Sequence, residues 1–303
     1  MLINRKLPLR YLYNMIRVDV IRVFFFSITF NIFKYFFNDY LPSLPTQLPT
    51  VLGTSISLIL AFTLNHSYDR WWEARKVWGS IVNDSRTFVI QLLGFIDPEV
   101  LGRTETKEMI RKMAHRQIGW CYALGESLRG LDSRASILKY LPLAEAGYVL
   151  PQRNKNYAIL ALHQHDLKNL KSKKAISDFQ QIQLDTTISK LTDSMGMAER
   201  IKSTVFPVTY RLFVHLFIYL FLIILSMGLV ESIGPLEIPI LIITASTFFL
   251  LEKTATYMQD PFVDMPTDTP VTAIARTIEI NIKEVLEESD VPEPLTPEAF
   301  YLK

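Results

Sequence analysis

Hydrophobic and polar positions sort into a few long apolar runs separated by stretches crowded with charge. The first run, Val23 to Phe37, reads VFFFSITFNIFKYFF. It is short for a membrane span and contains Asn31 and Lys34, so flanking residues must help. Lys34 must either snorkel to the interface or face other protein. Pro42, Pro45 and Pro49 then impose a short extended connector, since proline cannot continue a helix. The second run, about Leu48 to Asn65, places small residues at Gly53, Ser55, Ser57 and Ala61, which permit close helix approach in a bilayer. It passes without interruption into SYDRWWEARKVWG, so Leu52–Gly79 predicts one helix, apolar at its start and charged at its end. The third run, Phe213 to Val230, is nearly pure Leu, Ile and Phe and is the clearest span. A short acidic turn with Glu231, Ser232, Gly234, Pro235 and Glu237 follows. The fourth run, Ile238 to Leu251, needs its amphipathic continuation to cross, and it forms an antiparallel hairpin with the third.

Residues 66–206 are polar and mostly helical in pattern. A helix is expected around Glu108 to Leu128, and Pro142, Gly147, Pro151 and Asn154 break the pattern after it. From Ile176 to about Val205, Leu184, Ile188, Leu191 and Met195 recur at threes and fours on one helix face. Pro207 marks a break. The tail holds a loop, TYMQDPFVDMPTDTP, a helix from about Val271 to Glu288 and a proline-punctuated end. At the start, Arg5, Lys6, Arg10, Arg17 and Arg22 face one acid, Asp19, which fits an amphipathic interfacial segment or an ordinary basic tail. The expected organisation is all-α. Residues 1–66 hold the N-terminus and spans one and two, 67–206 a cytoplasmic helical region, 207–253 spans three and four, and 254–303 a cytoplasmic loop, helix and tail.

Composition agrees with a membrane protein that has a large aqueous portion: 49% of residues are apolar although 20% are charged. A formal charge of +2 gives no reason to expect nucleic acid as a partner. The single cysteine, Cys121, excludes an intrachain disulfide. No removable signal peptide is expected. Basic residues flank the spans at the N-terminus, at Arg70–Lys76 and at Lys202/Arg211, whereas Asn38–Pro49 and Glu231–Glu237 contain no Lys or Arg. Four spans with this asymmetry put both termini and the middle region in the cytoplasm.

No phosphate-cradling glycine loop, HExxH or nucleophile elbow is present, so neither an enzyme nor a cofactor is expected. His163, His165 and Asp166 form an HQHD cluster, but ligands two apart do not share a helix face, and a solvated surface fits better than a metal site. His215, inside the third span, is either a packing hydrogen bond or a proton or ion site. The collar Asp69, Arg70, Trp71, Trp72, Glu73 and Arg75, with Trp78 beyond it, exceeds what an aromatic belt requires. Its charge density predicts a salt-bridged structural junction. Above it, Thr54, Leu58 and Phe62 fall at i, i+4, i+8 on one helix face. That stripe either packs against a neighbouring span or surrounds a symmetric axis as an apolar constriction.

The block SYDRWWEARKVWG with LGTSISLILAF upstream resembles the bestrophin family, particularly its bacterial members. GMAERIKSTVFPVTY (Gly196 to Tyr210) and QDPF (Gln259–Phe262) extend the likeness over nearly the whole chain. The resemblance implies a homopentameric ion channel of the plasma (bacterial inner) membrane with one pore on the five-fold axis. It aligns Thr54, Leu58 and Phe62 with the pore neck, where Thr54 departs from the bulky apolar residues usual in the family. It places a cytoplasmic aperture near Phe179, with Ile182 as the alternative. Animal members bind calcium after a related loop. Here Asp260, Asp264 and Asp268 remain, but Met265 and Pro266 interrupt the acidic run, so calcium activation is doubted and a solvated acidic loop expected.

With no charged ring at the neck, selectivity must come from backbone dipoles, ring edges or vestibule charge. The positive edge of the Phe62 ring leans toward anions, chloride first. A monovalent-cation channel of the same architecture and a non-conducting, membrane-anchored scaffold are the alternatives. The expected partners are further copies of the chain, permeant ions and the lipid bilayer.

Overall fold

The computed structural model describes residues 6–37, 40, 45, 47–205, 207–233, 236–297 and 300–302, with backbone only for 230–233. Among these residues the chain forms eleven helices, α1 to α11, and no extended strand. They fall into two compact units. One contains α1, the start of α2 up to Trp71, and Val205–Asp260; the other contains Trp72–Thr204 and the chain from Pro261 onward.

The first unit is built from α1 (Leu9–Phe37), the first part of α2 (Gln47–Phe95), α9 (Val208–Ile233) and α10 (Glu237–Gln259). No glycine or proline lies between Leu9 and Phe37, so α1 runs unbroken where a basic segment and a separate span were expected. Arg10, Arg17 and Arg22 are therefore helical residues, not part of a tail. The core joins Val23 of α1, Ile56 and Leu60 of α2, Ile218 and Leu222 of α9, and Leu241, Ala245 and Phe249 of α10. Gly53 sits at a close approach: a Cβ there would lie 3.1 Å from Cε2 of Phe221, so the ring would have to shift to admit one. Large apolar side chains also cover the outside of α9, with Leu212, Phe213, Leu216, Phe217 and Leu220 exposed. A helix apolar on all sides suits a hydrocarbon surround. Among the described residues, three helices are long and apolar enough to cross a membrane, in the ranges Gln47–Phe95, Val208–Leu229 and Glu237–Gln259.

In the second unit, the rest of α2 supplies a stripe of buried residues at Ala74, Val77, Trp78, Ile81, Phe88 and Leu92, the spacing of a helix with one face in a core. Against it pack α4 (Arg103–Leu128), α7 (Lys155–Ser172), α8 (Asp178–Ser203) and α11 (Val271–Val285). Trp78, Ile118, Trp120 and Leu124 lie in one cluster and Phe88, Leu92, Leu167 and Leu184 in another. The predicted apolar face of α8, Leu184, Ile188, Leu191 and Met195, is buried throughout. The helix begins at a capping box: Ser177 and Gln180 each bond the other's backbone N–H. α3 (Pro98–Leu101) is a single turn capped by the Asp97 carboxylate.

The segment whose prolines were expected to break the pattern holds α5 (Arg134–Tyr140) and α6 (Leu143–Val149). Pro142 caps α6 at its N-terminus, where its missing N–H costs nothing, and Gly147 sits inside the helix. Gly119 of α4 admits this segment, since a Cβ there would lie 2.8 Å from Leu141 Cδ1 and 2.9 Å from Tyr140 Cβ.

Candidate functional site

The first part of α2 has two unlike faces. Ile56, Leu60, Thr63 and Ser67 are buried against the rest of its unit. Thr54, Leu58 and Phe62 are all exposed, Leu58 at 57% and Phe62 at 55%. Leu58 and Phe62 are thus left uncovered by the other helices of their unit, while Thr54 borders a cavity shared with Phe221, Leu225 and Phe248. The Thr54 hydroxyl donates to the Thr50 carbonyl at 2.8 Å, as Ser57 does to Gly53 at 2.8 Å. With its hydroxyl bonded back into the helix, Thr54 is less polar toward its surroundings than its residue type suggests.

At the start of α8, Phe179 is 83% and Ile182 62% exposed, three residues apart and opposite the buried Leu184 and Ile188. In the collar, Asp69 and Trp72 are exposed and Arg70, Trp71 and Arg75 half-buried. The Trp71 ring lies 5.8 Å from that of Tyr68. Glu73 accepts a hydrogen bond from Arg200 Nη2 of α8 at 2.5 Å. Trp78 is fully buried and belongs to the core, not to an aromatic belt.

The acidic residues after α10 do not converge. Asp260 is exposed. Asp264, in the left-handed region at φ 66°, faces Arg129 Nη1 at 3.5 Å. Asp268 departs from the solvated loop expected: it is 1% exposed, and its Oδ2 accepts the Val263 N–H at 2.6 Å. Burial pushes its carboxyl up to about 6, against the pull of its backbone N–H donors and of Arg129. Among the described residues no three His, Cys, Asp or Glu side chains are grouped to hold a metal.

The HQHD cluster is split between core and surface, and its side chains are not grouped for a metal. α7 turns His163 and Asp166 inward and leaves His165 exposed. His163 is fully buried, its ring 4.7 Å from Phe88 in an edge-on contact. Burial, helped by the charges of Arg116 and Lys112, holds it well below the ordinary histidine range. Asp166 accepts hydrogen bonds from Lys112 Nζ at 2.9 Å and Arg116 Nη2 at 2.7 Å. Buried Arg116 also reaches Glu145 through Nε at 2.8 Å. The helical spacing His163, Leu167, Leu170 carries the signal for inward burial. Cys121 is fully buried, its thiol pushed up to about 12 by desolvation, which leaves it unreactive.

Two polar clusters of the first unit join residues far apart in sequence. His215 lies 3.7 Å from Asp19 through Nε2 and 4.0 Å from Glu252 through Nδ1. Lys253 Nζ is 3.6 Å from Asp19 and 3.7 Å from Glu252. His215 thus faces carboxylates on α1 and α10. Lys34 does not snorkel. Its ammonium donates to both Glu237 oxygens at 2.7 Å, to Ser226 Oγ at 2.9 Å and to the Ser226 carbonyl at 3.0 Å. A lone lysine in an apolar run points to a buried partner, but nothing local identifies Glu237 as that partner.

Comparison with known proteins follows the same lines. The sequence profile of the family described as "Bacterial/Fungal Bestrophin protein" matches residues 11–284. A protein of Ralstonia nicotianae named voltage-dependent anion channel-forming protein is 27% identical over 253 residues, 84% of this chain and 81% of its own. The voltage-dependent anion channel-forming protein YneE of Escherichia coli is 28% identical over 252 residues, 83% of this chain and 80% of its own. The crystal structure of a bacterial bestrophin homologue from Klebsiella pneumoniae superposes with a TM-score of 0.82 at 25% identity, covering 90% of this chain and 99% of that one.

Proposed function

Because the chain belongs to the bacterial/fungal bestrophin family, we propose that it is the subunit of an anion channel of the plasma membrane, a homopentamer with chloride as its first permeant ion. The observation that carries this reading is the uncovered stripe Thr54, Leu58 and Phe62 on a helix of membrane-crossing character whose opposite face is core. Copies of one chain that share such a stripe bury it by closing around a symmetry axis. The stripe then becomes a narrow apolar neck that gates by dewetting. The names of the relatives from Ralstonia nicotianae and Escherichia coli support anions as the cargo.

Four spans per subunit fit this reading, with α1 as the first. At about 1.5 Å per residue, its 29 residues exceed the hydrocarbon core. Of the charges in α1, the one inside its apolar run, Lys34, is neutralised by Glu237 within the unit. The four spans leave both termini and the large helical region on the cytoplasmic side, with Phe179 and Ile182 forming a second constriction there. At the neck no ring of charge attracts ions, so Phe62 ring edges and backbone dipoles bias the pore toward anions.

Reversal potentials of the purified, reconstituted protein in asymmetric salt test the proposal. A shift toward the chloride equilibrium is expected. A shift toward the cation equilibrium replaces the reading with a cation channel, and the absence of conductance replaces it with a membrane-anchored scaffold.

A further inference from the structure

The charges of α1 are unevenly placed around its circumference. Its one acid, Asp19, is turned inward at 4% exposure, toward His215 and Lys253. Arg10 and Arg17 are exposed. They stand two turns apart on one side of the helix, away from the buried stripe of Ile16, Asp19, Val23 and Ser27. Exposed Lys6 precedes the helix, and exposed Tyr13, Ile21 and Phe24 share the side of the two arginines. Among the described residues Lys6, Arg10 and Arg17 have no ion-pair partner. The outer face of this end of α1 is therefore basic, with no acid to balance it.

Two features identify what balances it. Arg10 lies in the first turn of a 29-residue helix, and that turn contains no acid. Cations at this end add to the positive pole of the helix dipole, and an anion there relieves both. The second feature is length. At about 1.5 Å per residue, the 29 residues of α1 extend about 43 Å, the thickness of a bilayer with its headgroups, roughly 40–45 Å. With exposed Phe33, Phe36 and Phe37 toward one side of the bilayer, Arg10 reaches the headgroup layer of the other. Arg17 lies about 10 Å further in along the axis. Helical side chains lean toward the N-terminus, so its long stem carries the guanidinium back to the same layer. The anions available at that depth are lipid phosphates. A zwitterionic headgroup brings its own ammonium against the arginines, whereas a headgroup of net negative charge does not.

We infer that the outer face of α1 from Lys6 to Arg17 docks an anionic phospholipid. Its phosphate lies between Arg10 and Arg17, and its acyl chains run down the helix over Ile21 and Phe24. The inference rests on α1 being the first span, as proposed above. It is read by lipid binding without conduction, so a protein that binds the lipid and passes no current leaves it standing.

The test is thermal unfolding of the purified full-length protein in detergent, titrated with POPG, with POPC or with inorganic phosphate. POPG should raise the unfolding midpoint saturably, POPC and phosphate should not, and high salt should shrink the POPG effect. Arg10→Gln/Arg17→Gln removes two exposed charges and no core. It should unfold like the wild type without lipid and should need more POPG for the same rise, by about fivefold for each arginine removed. No rise with POPG overturns the inference, as does an equal rise with POPC or a rise indifferent to salt. An equal rise with phosphate overturns it in favour of a soluble anion. A double variant that responds to POPG as the wild type does also overturns it, and if that variant has a changed oligomeric state, the face is a contact between copies of the chain. The lipid, phosphate and salt comparisons need only the wild-type protein.

Discussion

The ammonium of Lys34 on α1 lies 2.7 Å from the carboxylate of Glu237 at the start of α10, with side-chain exposures of 3% and 0%. The Ser226 hydroxyl of α9 hydrogen-bonds both groups. One lysine, one glutamate and one serine thus tie three helices of the first unit together where burial shields both charges from solvent. An isolated ion in that setting would cost several kcal/mol, and the pair persists because each charge satisfies the other.

Removing one partner should therefore be worse than removing both. Lys34→Met or Glu237→Leu alone leaves an uncompensated buried charge and should cost about 3–5 kcal/mol. The double variant should recover much of that loss. Thermal melting of the detergent-solubilised protein measures it, and single variants as stable as the wild type would show that the pair contributes nothing.

Leu58→Ala and Phe62→Ala should each raise single-channel conductance, because each removes apolar bulk from the proposed constriction. Both side chains are exposed in the subunit, so neither substitution empties a core. Unchanged currents in both would count against the neck.

Asp268 and His163 should pull the pH dependence of stability in opposite directions. The folded Asp268 carboxyl, raised to about 6, holds its proton where the unfolded one has lost it. Its contribution therefore falls as pH rises from about 4 to 6, by up to about 3 kcal/mol for a shift of some two units. Asp268→Asn keeps the acceptor for the Val263 N–H and should flatten that slope. His163, held neutral, does the reverse: below about 6.5 the unfolded chain takes up a proton that the folded one refuses, so stability falls with acid. Its replacement by Leu should remove that acid-side loss. Denaturation midpoints across pH 4 to 8 separate the two slopes, and parallel profiles for both variants and the wild type would refute the assignments.

Gly119→Ala should destabilise the second unit by about 1–3 kcal/mol through overpacking. The new methyl would press on Tyr140 Cβ, an atom with no rotamer by which to escape. Chemical denaturation reads the loss. A variant as stable as the wild type would mean that α5 gives way without cost.

The all-helical architecture and most helix positions are legible in the sequence, because they depend on local periodicity and on punctuation by proline. The stripe Thr54, Leu58, Phe62 follows from spacing alone, and so does the inward face of α8. The burial of His163 and Asp166 was open to the same reasoning, yet a cluster of polar letters obscured the apolar face they share with Leu167 and Leu170. The unbroken α1 follows from the absence of any breaker between Leu9 and Phe37. What local pattern could not supply is partnership. Lys34 announces the need for a counter-ion, but Glu237 lies 203 positions away. Asp19 meets His215, and Arg116 meets Glu145 and Asp166, only once the helices between them are packed. Periodicity fixes which face of a helix is apolar. Which charge on one helix neutralises which on another depends on where those faces bring them, and tertiary packing alone decides that.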